Sequence, residues 1–257
     1  MHIDSVGRGG DVVVLHGIPQ APDDLDGLVN RLARRWRVHL VHLPGYGREP
    51  ARVGPHDLDC IEQELLAQLQ TLAPAGYSVV GISGGSYRAF RSARRGTLEP
   101  RGIVALGPLP MVVQAQREAF REAIGALRAG LEIWPAVVDG LFTEAFARSN
   151  PSVPGRYLAQ LRDIRAETVA LELEAIASEP DGVERLREVS CPVYMRVGER
   201  DQSTPPSSAV QALEWLPRAR LDVVANAGHL LHHEDHDATL EAVERALTWF
   251  ERGAPKS

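Results

Sequence analysis

With 257 residues and 44% hydrophobic side chains, the chain is long enough to bury a sizeable core as one α/β unit. No apolar run approaches the roughly 18 residues that cross a bilayer, and Met1-His2-Ile3-Asp4-Ser5 is neither a basic nor an apolar leader, so a cytoplasmic protein with no membrane association is expected. A net charge of −6 argues against general nucleic-acid binding, and Cys60 and Cys191 are expected to be small buried hydrophobes in a reducing compartment.

In chain order, short apolar runs bounded by turn residues predict strands near 11–16, 37–43, 77–82, 102–106, 192–198 and 219–225. Helical periodicity fills the gaps, as in Leu58 to Leu72 and Thr239 to Phe250. Such alternation implies a mostly parallel central sheet flanked by helices on both faces. Between about Met111 and Glu188 the pattern becomes wholly helical: Gln114 to Leu127, Ile133 to Ala147, Tyr157 to Leu161 and Ala166 to Ala177. Within it, Asn150-Pro151-Ser152-Val153-Pro154-Gly155 reads as a breaker-rich turn. The arginine-rich pieces Arg31 to Arg35 and Arg91 to Arg95 read as solvated helix faces rather than phosphate sites.

Chemistry gathers at the ends of the predicted strands. After Tyr77-Ser78-Val79-Val80 comes Gly81-Ile82-Ser83-Gly84-Gly85, a G-x-S-x-G turn that holds a serine hydroxyl out of the sheet between small neighbours. A serine is a weak nucleophile without a base, and the base needs an orienting group. The run from Val193 to Gly198 leads to Asp201, and the run from Leu221 to Ala225 leads to His229. Parallel strands would bring Ser83, Asp201 and His229 to one carboxyl edge. Near the N-terminus, Asp11 to Leu15 is followed by His16-Gly17-Ile18-Pro19, a loop that can aim the Ile18 N–H beside that of Gly84 as an oxyanion hole.

Competing features receive plainer readings. His229, His232, His233, Glu234, Asp235, His236 and Asp237 are dense in metal-ligating types, but they lack H-E-x-x-H spacing and a second ligand group. No metal is therefore expected, and the outer histidines read as loop surface. Ser86 lies one turn into the next helix and reads as a structural hydroxyl or part of the pocket wall rather than as the nucleophile. Asp222 and Glu199 are rival acids, set aside because Asp201 follows its strand in a G-x-x-D turn. His16 reads as structural.

Taken together, His16 to Pro19, Leu43-Pro44-Gly45-Tyr46-Gly47-Arg48, Gly81 to Gly85, Gly198 to Asp201, and Gly228-His229 with Glu234 resemble, in order, the motifs of the α/β-hydrolase superfamily. The resemblance covers most of the chain. It implies an α/β-hydrolase fold with a core of residues 1–110 and 189–257 and a helical cap of residues 111–188, inserted after the sixth strand over Ser83. Leu109, Met111, Trp134, Val137, Leu141 and Phe142 are candidates either for lining an acyl pocket or for packing the cap. Serine at position 83 excludes the haloalkane dehalogenases and epoxide hydrolases of the superfamily, which need aspartate there. The chain is similar to small bacterial carboxylesterases, enol-lactonases and pimeloyl-ester esterases. The expectation is a carboxylic ester hydrolase acting on short to medium acyl chains through an acyl-enzyme, without a cofactor, as a monomer or homodimer whose partner is a small-molecule ester. A lactonase, a carbon–carbon bond hydrolase and a non-catalytic small-molecule receptor of the same fold remain the alternatives.

Overall fold

Valine-rich runs buried on both faces form the middle of the sheet. In the computed structural model, which describes residues 1–180 and 182–253, the strands are β1 (His2–Gly7), β2 (Asp11–Leu15), β3 (Arg37–His42), β4 (Tyr77–Ile82), β5 (Ile103–Leu106), β6 (Val193–Gly198) and β7 (Ala219–Val224). One residue of the expected cap segment and the last four of the core segment lie outside the described residues. The strand order is β1-β3-β2-β4-β5-β6-β7, with every pairing parallel except β1 against β3. The six expected strands occur within a residue or so of their predicted ends. Strand β1 was not expected, because His2-Ile3-Asp4-Ser5-Val6-Gly7 carries too few apolar residues; it is an edge strand and at most half-buried.

The helices are α1 (Asp26–Leu32), α2 (Leu58–Leu72), α3 (Gly84–Arg94), α4 (Gln114–Arg128), α5 (Trp134–Leu141), α6 (Glu144–Ser149), α7 (Ser152–Asp163), α8 (Ala166–Ser178), α9 (Pro206–Leu213), α10 (Leu231–Glu234) and α11 (His236–Glu251). Period-2 alternation splits the core in two. Val12, Val14, Val38 and Leu40 face Leu28 of α1 and Val243 and Phe250 of α11, whereas Val13, Leu15, Val79 and Ala105 face Ile61 and Leu65 of α2 and Phe90 of α3.

Helices α4 to α8 form the insertion. It leaves the sheet after β5, the fifth strand in chain order, and not after a sixth. The resemblance implied six strands before it and the apolar runs four; with β1 the described residues form five. The single helix expected over Ile133 to Ala147 is two, because Phe142 is extended (φ −113°, ψ 147°) and the Thr143 hydroxyl caps α6 by accepting the Phe146 N–H at 3.3 Å. The expected turn at Asn150 to Gly155 is instead the start of α7. Pro154 falls in its first turn, where a backbone N–H has no intrahelical acceptor to lose.

Three side-chain expectations are also corrected. Cys60 is exposed, since it lies off the buried stripe of α2 formed by Leu58, Ile61, Leu65 and Leu69. Arg91 and Arg94 are buried rather than solvated, because carboxylates converge on them: Arg91 pairs with Asp59 at 2.7 Å and with Glu179 at 2.9 Å. Their neighbour Arg88 forms a buried ion pair with Glu172, which joins α3 to α8 of the insertion. Among the described residues no helix is long and apolar enough to cross a membrane.

Candidate active site

Between β4 and α3 the chain turns on Ser83, whose φ of 49° and ψ of −117° are rare for a residue with a side chain. The turn is possible only because its neighbours are small. A Cβ on Gly85 would stand 2.1 Å from the Leu15 carbonyl oxygen, and one on Gly81 2.6 Å from Ser86 Cα. The Ser83 N–H donates to Leu106 O at 2.9 Å, tying the elbow to β5. Ser86 is fully buried; its hydroxyl donates to Ser83 O at 2.6 Å and accepts the Leu109 N–H at 2.9 Å. Of its two expected roles it takes the structural one, bracing the elbow, and it does not line the cavity that holds Ser83.

Past β6, the Asp201 carboxylate is buried and accepts four hydrogen bonds. Oδ1 receives the N–H groups of Ser203 and Thr204 at 2.9 and 2.8 Å, and Oδ2 receives the Thr204 hydroxyl at 2.9 Å. The fourth comes from His229 Nδ1, 2.7 Å from Oδ2. A proton held on Nδ1 leaves Nε2 as the basic nitrogen of the ring. The rival acids are occupied elsewhere: Asp222 receives the Tyr194 hydroxyl at 3.1 Å and pairs with Arg196, while Glu199 receives the Asn226 N–H at 2.9 Å.

The loop after β2 meets this elbow. Ile18 packs so closely on Gly84 that a Cβ there would touch Ile18 Cδ1 at 2.6 Å. The Gly84 N–H opens α3 and so belongs to the helix's first amides, which have no acceptor within the helix. His16 is fully buried, with Nδ1 2.9 Å from Gly17 O and Nε2 accepting the Leu43 N–H at 3.2 Å. Burial pushes its pKa down to about 4, against a smaller upward effect of the Gly17 carbonyl, so the ring is a neutral structural element near pH 7. Gln20 accepts the Gly17 N–H at 2.7 Å, and Tyr157 of α7 donates its hydroxyl to Pro19 O at 2.9 Å.

Ser83, Gly84, Ile18, Thr204 and His229 share the floor of one cavity of about 450 Å³, roofed by α4, α5 and α8. The roof is apolar, with Phe120, Val137, Leu141, Leu173 and Ile176 among its side chains. Of the six candidates for lining it, Leu109, Val137 and Leu141 do so. Met111, Trp134 and Phe142 pack into the core instead, Phe142 lying 5.6 Å from the Phe146 ring and 5.9 Å from that of Tyr157. The insertion is bonded to the histidine loop: Leu141 O accepts the His229 N–H at 3.0 Å, and Glu234 accepts the Thr143 N–H and hydroxyl at 2.9 and 2.6 Å.

The outer histidines do not all lie on the surface. His232 is 4% exposed and, with His233, donates to the carboxylate of Asp24. Sequence reading missed Gln20, Asp24 and Thr204; nothing in their spacing marks them, since each matters only through a partner distant in the chain or around a turn. Two groups, Asp24 with His232 and His233, and His2 with Asp4 and His42, bring potential ligand atoms within 4.8 Å of one another. Neither suits a metal. Arg48 N–H fills His42 Nδ1 at 3.0 Å, so the Nε2 that faces Asp4 carries the proton. A metal on His232 Nε2 would leave an Nδ1–H buried without an acceptor among the described residues.

A strand-to-helix elbow bearing serine, an Asp–His pair and a helical roof on a mostly parallel sheet coincide with a family model: the alpha/beta hydrolase family model matches residues 12–242. The chain belongs to that family. Among alpha/beta hydrolase relatives, a pimeloyl-[acyl-carrier protein] methyl ester esterase of Nitrosomonas europaea is 29% identical over 253 residues, covering 89% of this chain and 92% of that protein. A thermophilic esterase from Thermogutta terrifontis superposes with a TM-score of 0.88 at 23% identity, covering 97% and 93% of the two chains. An enol-lactonase from Burkholderia xenovorans does so with a TM-score of 0.88 at 19% identity, covering 96% of each. At these identities the two structures speak to the fold, which is that of an α/β hydrolase.

Proposed function

We propose that this α/β hydrolase is a serine esterase that cleaves carboxylic esters of short to medium acyl chain, with Ser83, His229 and Asp201 as its triad and residues 111–188 as a cap over a core of residues 1–110 and 189–257. The observation that carries the reading is the buried His229–Asp201 pair, 2.7 Å apart, at the wall of the same apolar cavity that holds Ser83 on its elbow. In this mechanism Ser83 Oγ attacks the ester carbonyl carbon while His229 Nε2 takes its proton. Asp201 keeps the other imidazole proton on Nδ1 and stabilises the imidazolium. The Gly84 and Ile18 N–H groups receive the negative charge that develops on the carbonyl oxygen. His229 returns the proton to the leaving alkoxide, which departs as alcohol and leaves Ser83 acylated. Water, deprotonated by the same histidine, then attacks the acyl carbon, releasing the acid and restoring the serine hydroxyl.

Ester cleavage is further supported by the Nitrosomonas europaea relative, a methyl ester esterase that spans nearly the same length. The short to medium acyl range is supported by the cavity, whose size of about 450 Å³ and apolar roof suit an uncharged chain. Hydrolysis of a p-nitrophenyl ester series from acetate to palmitate, with Ser83→Ala alongside, tests both parts. Turnover with an optimum at or below decanoate that disappears in Ser83→Ala is expected. Turnover that survives in Ser83→Ala rejects the nucleophile. A wild type inert on the series but active on lactones or diketones rejects the substrate class and keeps the triad, and tight ligand binding without any turnover favours the receptor alternative.

A further inference from the structure

Two loops of the proposed site meet at a carboxylate that the mechanism does not use. Asp24 lies in the turn before α1, and its side chain is 6% exposed. Its Oδ1 accepts His233 Nε2–H at 2.8 Å, and its Oδ2 accepts His232 Nε2–H at 2.9 Å and Gln20 Nε2–H at 2.8 Å. Gln20, 1% exposed, uses its other end to hold the Gly17 N–H at 2.7 Å. Gly17 is the residue before Ile18, and His232 lies three residues after His229. The chain of hydrogen bonds Gly17–Gln20–Asp24–His232 therefore runs from the oxyanion loop to the histidine loop, and none of its members lines the cavity. His233 extends it to the insertion, its ring 5.9 Å from that of Phe142 and 6.5 Å from that of Tyr157.

The protonation states of this chain follow from its surroundings. Burial alone would raise the Asp24 carboxyl, but the hydrogen bonds and charge interactions with His232 and His233 outweigh it and hold the group below the usual carboxylate range. Burial holds His232 below the usual histidine range, opposed by its bond to Asp24. A protonated His232 would place a second N–H, on the buried Nδ1, where no partner meets it among the described residues. The working form is thus an ionised Asp24 receiving three N–H donors. A buried carboxylate is costly unless fully bonded, and a well-packed apolar trio would stabilise such a place equally well. What the apolar trio lacks is direction: Gln20 can hold the Gly17 amide only if its own amide group is anchored.

We propose that Asp24 is a positioning residue that, through Gln20 and His232, fixes the oxyanion loop relative to the histidine loop, so that the Ile18 N–H and His229 address the same substrate carbonyl. This rests on the triad and oxyanion hole assigned under Proposed function. Asp24 does not touch substrate.

Gln20→Met and Asp24→Asn, alone and combined, test it, with Ser83→Ala as reference. The readouts are kcat and KM on the best p-nitrophenyl ester, the rate of labelling by a fluorophosphonate, and the thermal midpoint. A fluorophosphonate reads nucleophile and oxyanion hole independently of acyl preference. Misplaced donors predict that each single variant loses about tenfold in kcat and in labelling rate, with KM changed by no more than about twofold. A shared chain predicts that the double variant is no slower than the slower single one. If Asp24→Asn does not fold, Gln20→Met, which leaves both histidine–aspartate bonds in place, carries the test. Folded variants with wild-type kcat and labelling rate, whatever their thermal midpoint, overturn the inference, as do fully additive losses. Retained labelling and turnover in Ser83→Ala would instead overturn the triad on which it rests.

Discussion

Ser83 is held in a backbone conformation that costs a residue with a side chain about 1–3 kcal/mol, and its surroundings supply the restraint: the Leu106 carbonyl on one side, the Ser86 hydroxyl on the other. Ser86→Ala should therefore slow ester turnover without abolishing it, by about tenfold at most; loss as complete as in Ser83→Ala would mean that Ser86 meets the substrate. As the acid of the proposed triad, Asp201 acts by direction as much as by charge. Asp201→Asn preserves the shape but favours the wrong histidine tautomer, and kcat should fall about 10⁴-fold with little change in KM. Ser83, Asp201 and His229 were legible because each sits just past an apolar strand in a short turn with a recognisable pattern. Thr204, Gln20 and Asp24 were not, because a hydroxyl or amide that bonds across a turn or to a distant loop leaves no periodic mark. His232 was misread as surface for the same reason: its burial is set by Asp24, 208 positions away.

At the scale of elements, the elbow depends on close packing of backbone against backbone. Gly85→Ala would drive a methyl into the Leu15 carbonyl, so it should destabilise the fold by about 3 kcal/mol or abolish soluble expression, whereas other small-residue changes on exposed helix faces stay near neutral. Denaturant midpoints of Gly85→Ala and wild type decide this. The roof formed by α4, α5 and α8 sets the size of the cavity. Val137→Trp should fill part of it, lowering kcat/KM for octanoate by at least about tenfold while acetate changes less than about threefold; an equal loss on both would place Val137 outside the acyl path. The helical nature of the insertion was readable from its periodicity, but its breaks were not. Thr143 ends one helix and caps the next, because Glu234 of the histidine loop holds its backbone, and that is a tertiary bond. The prolines near residue 151 suggested a turn, yet a proline in a helix's first turn sacrifices no hydrogen bond.

For the molecule as a whole, the strand–helix alternation implied the parallel sheet, while edge strand β1, paired antiparallel to β3 in register His2↔His42, carried too weak an apolar pattern. Burial of neutral histidines also fixes how stability responds to acid. His16 has a pKa near 4 in the fold and about 6.5 in the unfolded chain. Between those values the unfolded chain binds the extra proton, so stability is highest above pH 6.5 and falls as the pH drops toward 4, by up to roughly 3 kcal/mol from this residue. His42, His56 and His232, also lowered by burial, act in the same direction. Asp24 acts lower: its stabilisation is present above the unfolded carboxylate pKa and is lost only as the pH falls through its depressed folded value. Urea midpoints should decline from pH 7 to pH 4.5, and less steeply in His16→Gln; a flat profile in the wild type would contradict the neutral, buried state of His16.

The proposed function depends above all on an activated Ser83. Its most direct test is to treat the protein with a fluorophosphonate, which loses fluoride when a serine oxygen attacks phosphorus, and to locate the adduct by mass spectrometry. One adduct per chain is expected, on Ser83, absent in Ser83→Ala and formed far more slowly in His229→Gln. An adduct on another residue, or labelling of Ser83 that is as fast without His229 as with it, would rule out Ser83 as a nucleophile activated by His229.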